Sequence, residues 1–317
     1  MPPWTLLAHG DPERLPPFSV HALLTEWQPE IVPLLGVATL LVVYLLPARA
    51  LRRRGDAWSG WRSAAFVTGV ATVAVATLSP LGTYDTTLLS VHMAQHMLLT
   101  MVAPVFLALG APLTLWLRTL PPAPRARLLA VVHSRVARVL AFAPVAFVVY
   151  VASPWALYFS GWYQASLESA LLHDLTHVHL LLVGTLFFWP LVGLDPVPGR
   201  LPHVFRMLET FATLPFHAFL GVAIMQSSTL IGGDWYLSQG RSVAEVADDQ
   251  NLAGGLLWAS GDMIGLLFFA VLFVQWVRES QREAAREDRR LDRLESTARA
   301  RQAAADGAAG PADSIAP

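Results

Sequence analysis

The strongest constraint on the fold of this chain is a series of seven apolar stretches, each near the roughly 20 residues that a helix needs to cross a bilayer. Hydrophobic residues make up 54% of the 317 residues and charged residues only 14%. Because lipid cannot hydrogen-bond the backbone, such stretches must form helices. We therefore predict an all-α, polytopic membrane protein, a seven-transmembrane-helix bundle with spans at approximately 29–47, 62–80, 87–109, 137–158, 170–192, 206–230 and 252–276.

The arginines predict the orientation of these spans. Five arginines lie between spans one and two, five between spans three and four, and eight follow span seven. The positive-inside rule then places the N-terminus outside and the C-terminus in the cytoplasm. We predict three regions: an extracytoplasmic N-terminal segment (1–28), the membrane domain (29–277), and a charged cytoplasmic helix extension that ends in a disordered tail (278–317).

Two missing residue types narrow the possible chemistry. The chain has no cysteine, which excludes disulfides, thiolate metal sites, iron–sulfur clusters and covalent c-type haem. It also has no lysine, since all 22 basic residues are arginines, so no side chain can form a Schiff base with retinal. Seven spans therefore do not indicate a retinal protein here.

Two pairs of histidines are the main candidate site. His92 and His96 share one face of span three, and His173 and His177 share one face of span five, because residues four apart lie together on a helix. Ionisable side chains inside a bilayer are costly and mark functional sites. At about 1.5 Å per residue, all four lie in the outer half of the bilayer. The pattern predicts a metal or haem site that faces the extracytoplasmic side, with Asp174 and Gln95 as candidate partners for ring nitrogens.

Four further residues are candidate metal ligands. His217 and Asp262 lie at a similar depth on spans six and seven, and Met93 and Met97 share span three with the first histidine pair. Histidine and methionine without cysteine suit copper. Each residue also has a structural interpretation. The methionines could fill gaps in the core, His217 could bond a carbonyl freed by Pro215, and Asp262 could pair locally.

The segment around the first histidine pair resembles a known family. It reads His92-Met-Ala-Gln-His96-Met-Leu-Leu, followed by Ala103-Pro104 and by Leu109-Gly-Ala-Pro-Leu113. This pattern is similar to the signature of the membrane-integral CtaG-type cytochrome c oxidase assembly factors. Three more stretches support the resemblance, which covers roughly residues 30–277: His173 to Gly184-Thr-Leu-Phe-Phe-Trp189-Pro190, Pro215 with His217, and Asp249-Gln250-Asn-Leu252-Ala-Gly254-Gly255-Leu-Leu-Trp258.

The resemblance implies a multi-pass protein of the bacterial plasma membrane that helps to mature a haem–copper oxidase. The implied cargo is copper, and the implied partners are cytochrome c oxidase subunits, with other copper chaperones as further candidates. We expect no nucleic-acid partner and contact with the lipid bilayer. The family's histidine positions carry over to His92, His96, His173 and His177, and less directly to His217. Asp262 departs from the less polar run expected at its position.

Three functions remain open at this point. The first is a copper-binding assembly factor, which has no turnover and is therefore not an enzyme. The second is a b-type haem electron-transfer protein, because His92 with His173, or His96 with His177, could supply two axial ligands from facing helices. The third is a copper or proton transporter, which the end of the polar cluster near mid-bilayer disfavours. The residues alone separate copper from haem only weakly, and the resemblance favours copper.

Overall fold

The computed structural model describes residues 15–19, 21–27, 30–199 and 201–308, with side chains as far as Arg301. The described residues form helices and contain no strand. In chain order the helices are α1 Ala22–Thr25, α2 Ile31–Arg53, α3 Gly60–Leu78, α4 Pro80–Tyr84, α5 Leu89–Met97, a π-helical segment Leu98–Val102, α6 Ala103–Leu109, α7 Pro112–Thr119, α8 Pro122–Val132, α9 Arg135–Leu140, α10 Ala143–Tyr158, α11 Trp162–Glu168, α12 Ala170–Val192, α13 His203–Gln226, α14 Gly233–Ser238 and α15 Val243–Ala308.

The described part of the chain has six helices long and apolar enough to cross a membrane. They are Ile31–Arg53, Gly60–Tyr84, Leu89–Thr119, Ala170–Val192, His203–Gln226 and Val243–Arg301. A seventh span is present if α10 and α11, which are bent by 63° at a short break, count as one. The all-α, polytopic prediction is therefore confirmed, whereas the orientation of the termini stays a prediction. Most of the predicted N-terminal segment, and residues 309–317 of the tail, lie outside the described residues.

The boundaries of the fourth span differ from the prediction. We placed its start near residue 137, but α10 begins at Ala143 and residues 135–140 form the separate helix α9. Pro144 occupies the first turn of α10, where the missing N–H is not needed, so the chain starts a new helix there. By contrast, α12 has the predicted bounds of 170 and 192.

Span three is interrupted by a π-helical segment that packs closely on α12. A Cβ atom on Gly184 of α12 would lie only 2.8 Å from both the carbonyl carbon of Thr100 and Cγ of Pro104, and nearer still to the Thr100 oxygen. Only glycine allows this approach. The contact holds the helix that carries His173 and His177 beside the one that carries His92 and His96.

The opposite end of α12 is fixed by a buried carboxylate and an aromatic cluster. Asp195, just after α12, accepts hydrogen bonds from the backbone N–H of Leu113 and Thr114 at the start of α7. Nearby, the ring of Tyr44 stacks on Phe66 at 3.9 Å, and its hydroxyl donates to the carbonyl of Gly110 at 2.8 Å. These contacts are structural and leave the polar chemistry to the other end of the helices.

The chain divides into two compact units, residues 1–268 and 269–317. In the second unit, α15 carries ion pairs spaced three or four residues apart, which support an exposed helix: Arg282–Glu279, Arg290–Glu287 and Arg299–Glu295. Within the described residues the helix runs as far as Ala308, so it includes the first residues of the segment from Ala303 onward for which we predict disorder.

Candidate metal centre

Three metal-ligating side chains meet at the N-terminal end of α12. The Nε2 atom of His173 donates to Oδ2 of Asp85 at 2.9 Å, and Nε2 of His177 lies 3.3 Å from the same oxygen. One ligand atom from each residue lies within 4.8 Å of the other two, and all three residues are buried. We call Asp85, His173 and His177 the outer cluster.

The local sequence explains why these three residues meet. Ser169 caps α12, so the helix begins just before the histidine pair, and the spacing of four turns both imidazoles to one side. Asp85 lies in the short connection between α4 and α5, after Ser79 and Pro80 have started α4. The chain therefore presents an acidic side chain at a turn that packs against the first turns of α12.

Hydrogen bonds and charge fix the Asp85 carboxylate. The amide nitrogen of Gln95 donates to Oδ2 of Asp85 and to the carbonyl of Ala76, both at 2.9 Å. Burial acts to raise the pKa of the Asp85 carboxyl, but the imidazoles of His173 and His177 hold this pKa well below its usual range. The carboxylate is thus kept as an anion within a fully buried pocket of donors. Gln95 does act as a positioning residue, but on Asp85 rather than on a ring nitrogen.

The other histidine pair forms a second group of donors around a tyrosine. Nε2 of His92 lies 3.2 Å from the hydroxyl oxygen of Tyr158, and Nδ1 of His96 lies 2.9 Å from the same oxygen. One imidazole donates to this oxygen, and the tyrosine hydroxyl donates to the other imidazole. All three side chains are buried. We call His92, His96 and Tyr158 the inner cluster.

The two clusters are neighbours. The ring centroids of His92 and His173 are 6.4 Å apart, and the ring of Tyr163 lies 4.8 Å from that of His92. We had predicted one site built from four histidines. The structure brings the four histidines together, but it divides them between two oxygen atoms, the carboxylate of Asp85 and the phenol of Tyr158.

The remaining predicted ligands lie in separate environments. Nδ1 of His217 lies 3.3 Å from the carbonyl of Thr213, and Gly261 packs against its ring. Asp262 is half-buried, and its Oδ1 atom has no hydrogen-bond partner among the described residues. Met93 and Met97 are buried. A role in metal binding for these four residues stays a prediction.

Sequence analysis missed two residues that share these clusters. Asp85 lies outside the predicted spans and is 88 residues from His173, so no helical periodicity connects them. The available signal was an acidic residue two positions before the predicted start of span three. Tyr158 is the last residue of α10 and resembles an interfacial aromatic in the sequence.

A connection between α13 and α15 is hydrogen-bonded to the turn that carries Asp85. We call residues 227–242 the cover segment. The Trp235 indole nitrogen and the Gln239 amide both donate to the carbonyl of Thr86, at 2.8 and 3.2 Å, and Arg241 donates to the carbonyl of Thr87 at 2.9 Å. The segment is thereby held against the turn that contains Asp85.

These donors suit a divalent first-row metal. Imidazole and carboxylate bind Cu(II) and Zn(II) well, and a buried anionic oxygen offsets the charge of the ion. The metal must replace the protons that now join imidazole to oxygen, so binding releases protons. The arrangement can therefore hold an ion in the apolar interior without cysteine.

Comparison with known proteins finds relatives of this chain in mycobacteria. The chain is 38% identical over 286 residues to uncharacterized proteins of Mycobacterium bovis and Mycobacterium tuberculosis, and 34% identical to one of Mycobacterium leprae. These alignments cover 87% of the chain but 43% of each relative, so the chain spans less than half the length of the curated relatives it matches. No solved structure matches the chain.

The sequence also matches a family model described as "Cytochrome c oxidase caa3 assembly factor" over residues 42–279. This range includes both histidine pairs, Asp85 and Tyr158. The buried clusters therefore lie within the region that defines the family. The chain belongs to the cytochrome c oxidase caa3 assembly factor family.

Proposed function

We propose that this protein binds copper at the Asp85 and histidine clusters, on the extracytoplasmic side of the bacterial plasma membrane, and delivers it to a haem–copper oxidase during assembly. The observation that carries the proposal is the outer cluster, a buried set of three metal-ligating side chains in a helical membrane protein. The protein carries and transfers an ion in this proposal and catalyses no reaction.

The burial of the outer cluster supports an ion rather than a purely structural role. Asp85 is 0% exposed, and an ionised carboxylate in an apolar interior is costly unless it is paired. Polar clusters of this kind are retained in membrane helices where they serve binding or transport. The second carboxylate oxygen of Asp85, Oδ1, has no hydrogen-bond partner among the described residues and is therefore available to an ion.

Copper suits both the donor groups of this chain and the role of an oxidase assembly factor. The chain offers imidazole, carboxylate and thioether groups but no thiolate. Copper accepts all three donor types, whereas zinc gains little from thioethers. An oxidase assembly factor that delivers a metal would need one that the oxidase itself contains. The partners in this proposal are the oxidase subunits that receive the copper.

The packing around His92 favours an ion over a haem. Tyr158 and Tyr163 place their rings 5.9 and 4.8 Å from the ring of His92. A porphyrin held between His92 and His173 would need a wide flat slot at this position, and these two tyrosines occupy the side of the His92 ring. An ion needs only the donor atoms already present.

The proposal is tested by a metal and pigment assay on the full chain purified in detergent. Copper content is measured by elemental analysis, and the reduced-minus-oxidised visible spectrum is recorded, after incubation with copper and separately with haem. We expect bound copper in the wild type and a loss of at least one bound ion in His177→Ala. The matched control is His179→Ala on the same helix. Nε2 of His179 instead lies 2.6 Å from Oγ of Ser153, and the ring centroids of His179 and Trp162 are 4.7 Å apart.

Three results decide between the functions. Copper that is lost in His177→Ala and retained in His179→Ala supports the copper proposal. A Soret band that depends on His92 and His173 replaces it with the haem function. A protein that binds neither copper nor haem refutes both, and the histidines would then have a structural or proton-handling role.

Delivery is tested separately from binding. The copper-loaded protein is mixed with a copper-free oxidase subunit that contains its copper site, and the two are separated before copper is measured in each. We expect copper to move to the subunit faster than it is released to buffer alone. Equal rates would show binding without delivery.

A further inference from the structure

The inner cluster has the features of an ion site in its own right. Its three potential donor atoms are Nε2 of His92, Nδ1 of His96 and the hydroxyl oxygen of Tyr158, and the oxygen is within hydrogen-bonding distance of both nitrogens. These side chains are between 0 and 3% exposed. The remaining nitrogens, Nδ1 of His92 and Nε2 of His96, have no hydrogen-bond partner among the described residues. Among the described residues, the Tyr158 oxygen is the one hydrogen-bond partner that these two imidazoles share.

The two oxygen–nitrogen distances in this cluster are close to those between neighbouring ligands of a metal. Bonds from a metal to nitrogen or oxygen are about 2.0–2.1 Å long, so two ligands of a tetrahedral ion lie about 3.3 Å apart. The tyrosine oxygen lies 3.2 Å from His92 Nε2 and 2.9 Å from His96 Nδ1. A small outward movement of the donors would admit an ion in place of the hydrogen-bonding protons.

The inner cluster is distinct from the outer one. The three ligand atoms of Asp85, His173 and His177 already lie within 4.8 Å of one another, and the rings of His92 and His173 are 6.4 Å apart. Each cluster contains two imidazoles and one oxygen that is an anion when it ligates. In an apolar interior, one anionic oxygen for each ion lowers the cost of burying the charge.

We propose that the protein holds two copper ions in adjacent positions, one in the outer cluster and one in the inner cluster, with Tyr158 as a ligand. This inference rests on the proposed copper function and deepens it. A phenolate is a hard, anionic donor, so the inner position takes Cu(II) rather than Cu(I). The phenol proton of Tyr158 is released when the ion binds.

The experiment counts copper in the full chain. Copper-free protein in detergent is loaded with excess Cu(II), freed of unbound ion by gel filtration, and analysed for copper per chain and for a phenolate-to-Cu(II) charge-transfer band. The variants are Tyr158→Phe and Asp85→Asn. The control is Tyr44→Phe, which also removes a buried, hydrogen-bonded hydroxyl but lies in the aromatic cluster near Gly110.

We expect two copper ions per chain in the wild type and in Tyr44→Phe, and one in each of the other two variants. The charge-transfer band should be lost only in Tyr158→Phe. A wild type that binds one ion and shows no charge-transfer band overturns the second site and leaves the proposed function intact. This result needs no variant, so it holds even if Tyr158→Phe does not fold. A wild type that binds no copper overturns both proposals.

Discussion

Replacement of Gly184 by alanine tests whether the close approach of α12 and the π-helical segment builds the site. The added Cβ would lie 2.8 Å from the Thr100 carbonyl carbon and from Pro104 Cγ. Carbon atoms prefer separations of about 3.5 Å or more, so the helices must separate by at least about 0.7 Å, and further to clear the nearer Thr100 oxygen. The nearest atoms belong to backbone and to a proline ring, which cannot rotate away.

The magnitude follows from two opposed effects. Overpacking of this kind costs about 1–3 kcal/mol, whereas alanine in a helix gains up to about 1 kcal/mol over glycine. We expect a net loss of about 1 kcal/mol for Gly184→Ala, from about 2 kcal/mol of overpacking less about 1 kcal/mol of helix gain. The control is Gly36→Ala in α2, where an added Cβ meets nothing within 4 Å, so only the helix gain applies. Apparent unfolding midpoints in detergent should differ by roughly 5 °C between the two variants.

The same variant should also weaken copper binding. His177 lies seven residues before Gly184 on α12, about 10 Å along the helix. Binding sites tolerate displacements of only about 0.5 Å, which is less than the expected separation of the helices. Copper affinity, measured by competition with a chelator, should therefore fall in Gly184→Ala and not in Gly36→Ala. If both variants are equally stable and bind copper equally well, the close contact does not position the site.

Three further predictions concern the outer cluster and its cover. Asp85→Asn should weaken copper binding by about 10- to 100-fold, measured by chelator competition, because it removes the anionic oxygen that contacts both histidines. The control Asp195→Asn removes a buried helix-capping charge elsewhere and should leave copper affinity unchanged. Copper affinity should fall as the pH is lowered from about 8 to about 5, because protons compete with the ion for the imidazoles, and an affinity that rises instead would contradict histidine ligation. Trp235→Phe removes the indole hydrogen bond to Thr86 and should speed the removal of copper by a membrane-impermeant chelator, measured as a rate, whereas an unchanged rate would mean that the cover segment does not limit exchange.

The helical membrane fold could be predicted from the sequence because hydropathy alone determines which segments can enter a bilayer. The bounds of α12 matched the prediction, and the structure shows Ser169 capping its start and Gly193 ending it with a positive φ. The start of α10 did not match, because apolar residues continue through the break before Ala143. Hydropathy does not detect a change of helix axis within an apolar run.

The histidines of the site could be predicted, but their oxygen partners could not. A spacing of four on one helix is a local signal, and it identified both pairs. Asp85 and Tyr158 reach the histidines from other elements, at separations of 88 residues from His173 and 62 residues from His96. Those contacts depend on how the helices pack, which a single sequence does not specify.

The hydrogen bonds to Thr86 have a consequence for how docking of a partner could control copper. Thr86 directly follows Asp85, so the turn that receives Trp235 and Gln239 is the same turn that supplies the carboxylate of the outer cluster. A partner that draws the cover segment away would therefore disturb a metal ligand at the same moment. Thermodynamic linkage then requires reciprocity: if docking weakens copper binding, bound copper weakens docking by the same factor. The copper-free protein would hold such a partner more tightly than the loaded protein does, so delivery would require a separate step to release the partner.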